Sequence, residues 1–220
     1  MTSPSIYCLH LEDWDHLDER IGALHSAVDY VAVGMDLHME HPRESLERIR
    51  CRGLRAYAHF LYYDIEEVVV QAARGLVDLG YDAFDVHAFC GAATISRTCA
   101  VAGEQAEQAG RVAPVVIGCA LLPSQLDLPW RADQNSGDPE ELTSRLAEGA
   151  VSAGADGVLV PHQVADRVAA VVPSDKLLIA YANPSQTSLP VQGRGQFYDW
   201  HLDTLWATPE GIGLVQSRRP

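Results

Sequence analysis

Two rhythms alternate along this chain. Short, nearly uninterrupted apolar runs are followed by longer stretches in which apolar residues return every three or four positions. The first kind predicts strands buried on both faces, and the second predicts helices with one inward stripe. Residues 6–10 read as the first strand. Residues 12–27 follow as a helix, with Trp14, Leu17, Ile21 and Leu24 on one face. Residues 30–35 are the second strand. Pro42 opens a helix with Leu46 and Ile49 inward, and Gly53 stops it. The pattern then predicts strand 54–61, helix 65–79 closed by Gly80, strand 81–88, helix 92–109 and strand 114–121. A helix from Asp138-Pro139 to about residue 153, strand 157–160, helix 163–171 and strand 177–181 complete the run. Residues 211–216 are expected to be an eighth strand. Residues 38–41 (His-Met-Glu-His) read as loop and cap rather than as a metal cluster, because two histidines three apart need a helical turn to converge.

Eight strand–helix units with short connections imply parallel strands joined by right-handed crossovers. The fold expected is α/β: a single domain, residues 1–220, forming a compact (β/α)8 TIM barrel that lacks its final helix. A flavodoxin-like open sheet would leave three strands unused. Two segments, 122–137 and 183–195, are long for connections and lie on the side where a barrel keeps its site. Trp130, Phe197, Tyr198, Trp200 and Trp206 fall in or beside them, as a lid or a subunit contact. A missing last helix would leave apolar barrel surface uncovered, which predicts a homodimer with the site near its interface.

Charge and composition narrow the partners. The net charge of −14 argues against nucleic acid. No apolar run reaches the roughly 18 residues of a membrane span, and the first residues have neither a basic region nor a signal core. A soluble cytoplasmic protein is expected. The cysteines Cys8, Cys51, Cys90, Cys99 and Cys119 are scattered and never form a CxxC pair, which reads as small buried hydrophobes. There are fifteen arginines and one lysine, Lys176. Any lysine-dependent mechanism therefore has one candidate, placed before the seventh strand at the wrong end of the barrel.

Several stretches, in order, resemble the orotidine monophosphate decarboxylase superfamily, which includes hexulose-phosphate synthase. Residues 31–37 (Val-Ala-Val-Gly-Met-Asp-Leu) are similar to the family's V-K-V-G-M-E-L, and residues 57–65 to its F-L-D-L-K-L-H-D-I. Residues 85–92 are similar to T-V-H-A-x-G-G, residues 154–158 to G-x-D-G-V, and Thr208-Pro209-Glu210 to T-P-A-E. The resemblance implies a charged catalytic array, and here that array is depleted. Ala32 stands at the first lysine position, His59 at the first aspartate of the array and Leu61 at its lysine. Asp64 keeps the last aspartate, and His10 replaces the aspartate that ends the first strand. Decarboxylation of orotidine monophosphate is therefore not expected. In the family, the aspartate matching Asp64 reaches the partner subunit's site. The resemblance also implies phosphate binding, for which Arg219 matches in register and Arg194 offers a second cation.

What remains is histidine, tyrosine and one carboxylate. His59 and Asp64, with Tyr63 between them, form a candidate general acid/base group, with His10 and His87 at neighbouring strand ends. Tyr62 and Tyr181 offer phenol donors and apolar walls for substrate. Asp64 also suits an N-cap ahead of Ile65. The expected function is acid/base chemistry on a small, nucleotide-like or phosphorylated metabolite: a lyase, isomerase or cyclisation step of secondary metabolism. The expected site needs no cofactor and no metal. Two alternatives stand beside this one, a non-catalytic binding barrel and a metal-dependent enzyme using His10, His59 and His87.

Overall fold

The computed structural model describes residues 5–9, 11–24, 30–126, 138–181 and 204–208. Seven strands run parallel in chain order: β1 Ser5–Leu9, β2 Tyr30–Gly34, β3 Arg55–Tyr62, β4 Ala83–His87, β5 Val115–Cys119, β6 Gly157–Pro161 and β7 Leu177–Tyr181. An eighth, β8 Thr204–Thr208, closes the barrel between β7 and β1. It runs antiparallel to both. This differs from the parallel strand expected at 211–216, which lies outside the described residues. Thr204-Leu205-Trp206-Ala207-Thr208 is the β-prone run that takes the closing place. Trp206 therefore belongs to the barrel wall rather than to a lid; the other four aromatic residues of that group lie outside the described residues.

The crossovers are helices: α1 Leu17–Leu24, α2 Met35–Glu40, α3 Pro42–Cys51, α4 Glu66–Leu79, α5 Gly91–Gln108, α6 Pro139–Ser152 and α7 Ala165–Val168. A 3-10 turn, Leu11–His16, leads into α1. Proline at the first helical position sets the start of α3 and α6, and the Asp138 side chain caps α6 by accepting the Glu140 N–H at 3.0 Å. Gly80, at φ 91°, ends α4 in the left-handed conformation. Two local expectations change. Residues 38–40 are helical, within α2, because Asp36 suits the first turn and Leu37 buries beneath it; six residues, fewer than two turns, are too short to show a period. His41 is the hinge residue between α2 and α3, and its ring stacks on Trp14 at 3.5 Å. The cap of α4 is Ile65, not Asp64; Asp64 Oδ1 instead accepts the Ile65 N–H at 2.7 Å.

Alternation along the strands builds two cores. Outward residues such as Val31, Val33, Ala56, Ala58 and Phe60 pack beneath the helices. Inward residues, among them Cys8, Ala32, Tyr57, Ile117, Cys119, Leu159 and Tyr181, fill the barrel. Cys8 and Cys119 are buried and free, while Cys51 is exposed.

One strand breaks the regular ladder. Ala58 of β3 pairs with Phe84, but Tyr62 pairs with Val86. Four steps along β3 match two along β4, so β3 bulges just before the mouth of the barrel. Leu61, within the bulge, sits at φ 53°.

Candidate active site

Strand β4 carries Asp85 between Phe84 and Val86, and its side chain points into the barrel with no exposure at all. A carboxylate buried among apolar residues needs partners, and Asp85 has four. Oδ1 accepts the backbone N–H groups of Phe60 (3.0 Å) and Leu61 (2.6 Å), two donors that the bulge has removed from the ladder. Oδ2 accepts the Tyr57 hydroxyl at 2.8 Å and His59 Nδ1–H at 2.5 Å. The bulge and the site therefore share one carboxylate.

This arrangement fixes the imidazole. With its Nδ1 hydrogen directed to Asp85, neutral His59 keeps a lone pair on Nε2. His59 retains 14% exposure above a fully buried partner, so the dyad is open only at the histidine. Tyr57 and Tyr181 flank it, with ring centroids 5.7 and 6.0 Å from the imidazole. Burial, reinforced by the Asp85 charge, pushes the Tyr57 hydroxyl well above its ordinary range. Burial does the same to Tyr181, helped by its Cys119 and Asp85 neighbours. Both phenols are neutral donors at physiological pH. The Tyr181 hydroxyl is buried without a well-formed hydrogen bond; the Cys119 thiol beside it is a weak partner.

His87 ends β4 and is 5% exposed. Its Nδ1 accepts the Phe89 N–H at 3.3 Å, which caps the turn into α5. Its ring stacks on Phe89 and meets Tyr63 at 5.6 Å. Burial lowers its pKa, so His87 is neutral near pH 7. Tyr63 and Phe89 are exposed beside it, forming an aromatic shelf at the mouth. Tyr62 is half-buried against Phe60, and burial raises its hydroxyl pKa.

The sequence-predicted residues thus separate. His59, Tyr181, Tyr62, Tyr63 and His87 lie around the C-terminal ends of β3, β4 and β7. The carboxylate on His59 is Asp85, whereas Asp64 is exposed past the strand end and bonds its neighbour's backbone. His10, Arg194 and Arg219 lie outside the described residues. Ala32 and Leu61, at the two family lysine positions, both belong to the barrel interior. Lys176 precedes β7 at the opposite end, close enough to act on Cys99 of α5. Among the described residues no group of three His, Cys, Asp or Glu side chains is placed to hold a metal ion. Sequence reasoning missed Asp85 as a site residue, although a charged residue inside an apolar strand, two before His87 and so on the same face, was the available signal.

Comparison with known proteins gives this site its setting. The orotidine 5'-phosphate decarboxylase / HUMPS family model matches residues 6–188. An orotidine 5'-phosphate decarboxylase of Moorella thermoacetica is 34% identical over 134 residues, 60% of this chain and 53% of the relative. One from Carboxydothermus hydrogenoformans is 24% identical over 163 residues, 74% of this chain and 68% of the relative. The chain thus spans about half to two thirds of the length of such relatives. An uncharacterized conserved protein of Geobacillus kaustophilus has the same fold, with a TM-score of 0.70 at 21% identity over 80% of this chain and 81% of its own. Orotidine 5'-phosphate decarboxylase from Lactobacillus acidophilus superposes with a TM-score of 0.64 at 25% identity, covering 76% of this chain and 75% of that one. With its seven parallel barrel strands, its matched motifs and a family model spanning residues 6–188, this chain belongs to the orotidine 5'-phosphate decarboxylase / HUMPS family.

Proposed function

We propose that this barrel is an enzyme that moves a proton on a small, nucleotide-like or phosphorylated metabolite, with His59 as general base and then general acid. The observation that carries this reading is the bond from His59 Nδ1 to the fully buried Asp85. When Nε2 takes a proton from substrate, the imidazolium forms directly above a carboxylate, where the charge is offset without rearrangement. The substrate keeps the electron pair of the broken bond, and the same Nε2 returns the proton in the second half of the reaction. Tyr57 holds the carboxylate from below, and Tyr181 and Tyr62 wall the substrate. Arg194 and Arg219 are proposed for a phosphate group. Lyase, isomerase and cyclisation steps all fit one shuttling imidazole, and secondary metabolism is the proposed setting.

Decarboxylation of orotidine monophosphate is not proposed. A carbanion formed at the mouth would face Ala32 and Leu61 rather than ammonium groups, and proton delivery needs contact geometry. The exposed Tyr63, Ile65, Val68 and Phe89 support a homodimer through this side of the barrel.

The test is His59→Ala in the producing host, with native mass spectrometry of the purified protein. The pathway product should fall about 10²- to 10⁴-fold while ligand remains bound. Unchanged product with ligand bound would show a binding barrel instead. Ultraviolet-monitored turnover of orotidine monophosphate by the wild-type protein would overturn the reading from the other side.

A further inference from the structure

At the N-terminal face of the barrel, opposite the mouth, three helix ends converge on the start of β4. Arg50 lies in the last turn of α3, Gly80 ends α4, and Arg111 follows α5. They line a cleft of about 280 Å³ with Val77, Tyr81, Asp82 and Val112. A Cβ added to Gly80 would collide with Nη1 of Arg111 and Nη2 of Arg50. Two guanidinium groups from distant parts of the chain thus lie over one alpha carbon. Both side chains are exposed, so water screens their repulsion, and an anion seated between them gains the attraction of both.

The cleft offsets their positive charge only in part, because one carboxylate, Asp82, faces two guanidinium groups and pairs with neither. Among the described residues neither guanidinium forms an ion pair or a hydrogen bond, although Arg50 lies close enough to Tyr81 to favour its phenolate. Asp82 is the one carboxylate in the lining, and its Oδ2 already accepts the Ala56 N–H at 2.8 Å. The carbonyls that end α4 attract cations in general. An arginine recruited only for that would donate to one of them, and neither does. The α4 end is closed by its own backbone, with the N–H groups of Gly80 and Tyr81 on the Leu76 carbonyl at 2.9 and 3.0 Å.

We propose that this cleft is an oxyanion site, distinct from the mouth, at which Arg50 and Arg111 together hold a phosphate or phosphate monoester. Planar guanidinium forks suit tetrahedral oxyanions, and the open rim at Val112 admits a small phosphorylated molecule. Position makes it a second site, since the length of the barrel interior separates it from His59.

Inorganic phosphate is the probe, titrated against wild-type protein by thermal shift and calorimetry, with chloride at matched ionic strength. Wild-type protein should show saturable binding and a rising Tm that chloride does not reproduce. Arg50→Gln or Arg111→Gln should each weaken binding about tenfold or more. The double variant should abolish it while keeping, or raising, the anion-free Tm. The variant pair Arg194→Gln and Arg219→Gln should leave this binding in place, which separates the cleft from phosphate held at the mouth. Absence of saturable binding to the wild type, or unchanged binding in the double variant, would overturn the proposal. Neither outcome bears on His59. Glycerol 3-phosphate, compared with phosphate, tells an ester from the free ion by which binds tighter.

Discussion

At the scale of single residues, Asp85 decides most. It satisfies two backbone donors and two side-chain donors from one fully buried position. Asp85→Asn keeps the size but turns one acceptor oxygen into a donor amide that faces other donors. We expect a loss of about 3 kcal/mol, the range for breaking a buried charged network, read as a shift of the urea midpoint. Activity should fall beyond what instability explains, because His59 would lose its fixed tautomer. His59 itself could be recognised from sequence as a ring at a strand end with no lysine to help it. The strand pattern marks Asp85 as an inward charge, but nothing in it pairs Asp85 with His59, and Asp64, five residues away, is the nearer carboxylate in the chain. The bulge is what brings β4 rather than the following loop against His59, and no local pattern in residues 57–64 announces a bulge.

Among elements, strand and helix types were legible because their periods are long and clean. Parallel strands β2 to β7 fall within a few residues of the apolar runs that predict them. The exceptions have physical causes. Helix α2 has six residues, fewer than two turns, below the length at which a period can show. The pattern places the eighth strand at 211–216, a run that opens Gly-Ile-Gly, while Thr204–Thr208 closes the barrel in the opposite direction. Packing between elements also makes a prediction. Gly118 of β5 lies against α6, where an added Cβ would collide with the Cβ of Ala150. The backbone angle at Gly118 needs no glycine; the neighbour does. Gly118→Ala should cost about 1–3 kcal/mol by pushing β5 and α6 apart. Gly118→Ala combined with Ala150→Gly should recover much of that loss, which denaturant midpoints of the single and double variants would show.

For the molecule as a whole, three histidines contribute to the acid limb of stability. His38, His87 and His162 all have pKa values below the ordinary 6.5, in each case chiefly because burial disfavours the charged ring. Below about pH 6.5 the unfolded chain takes up protons that the folded chain refuses, so the unfolded state binds more. Stability is therefore full above that pH and drains as pH falls toward the lowered folded-state values. Urea midpoints should decline on acidification from pH 6.5, and His87→Gln should flatten part of the decline. No sequence pattern marks His162, yet its Nδ1 is buried without a hydrogen-bond partner just beyond β6. Its burial comes from the packed barrel end, a property of the assembled fold that neighbouring residues in the chain do not encode.

The sharing of one carboxylate between the β3 bulge and the His59 dyad has a consequence for redesign. Most barrels let a designer exchange mouth residues freely because the wall beneath is independent of them. Here the wall leans on the mouth. A library that varies position 85 would discard most of its members through misfolding before any were judged on activity. Retargeting this protein should therefore begin from positions 59, 62, 63 and 87, with Asp85 and Tyr57 left untouched as foundation.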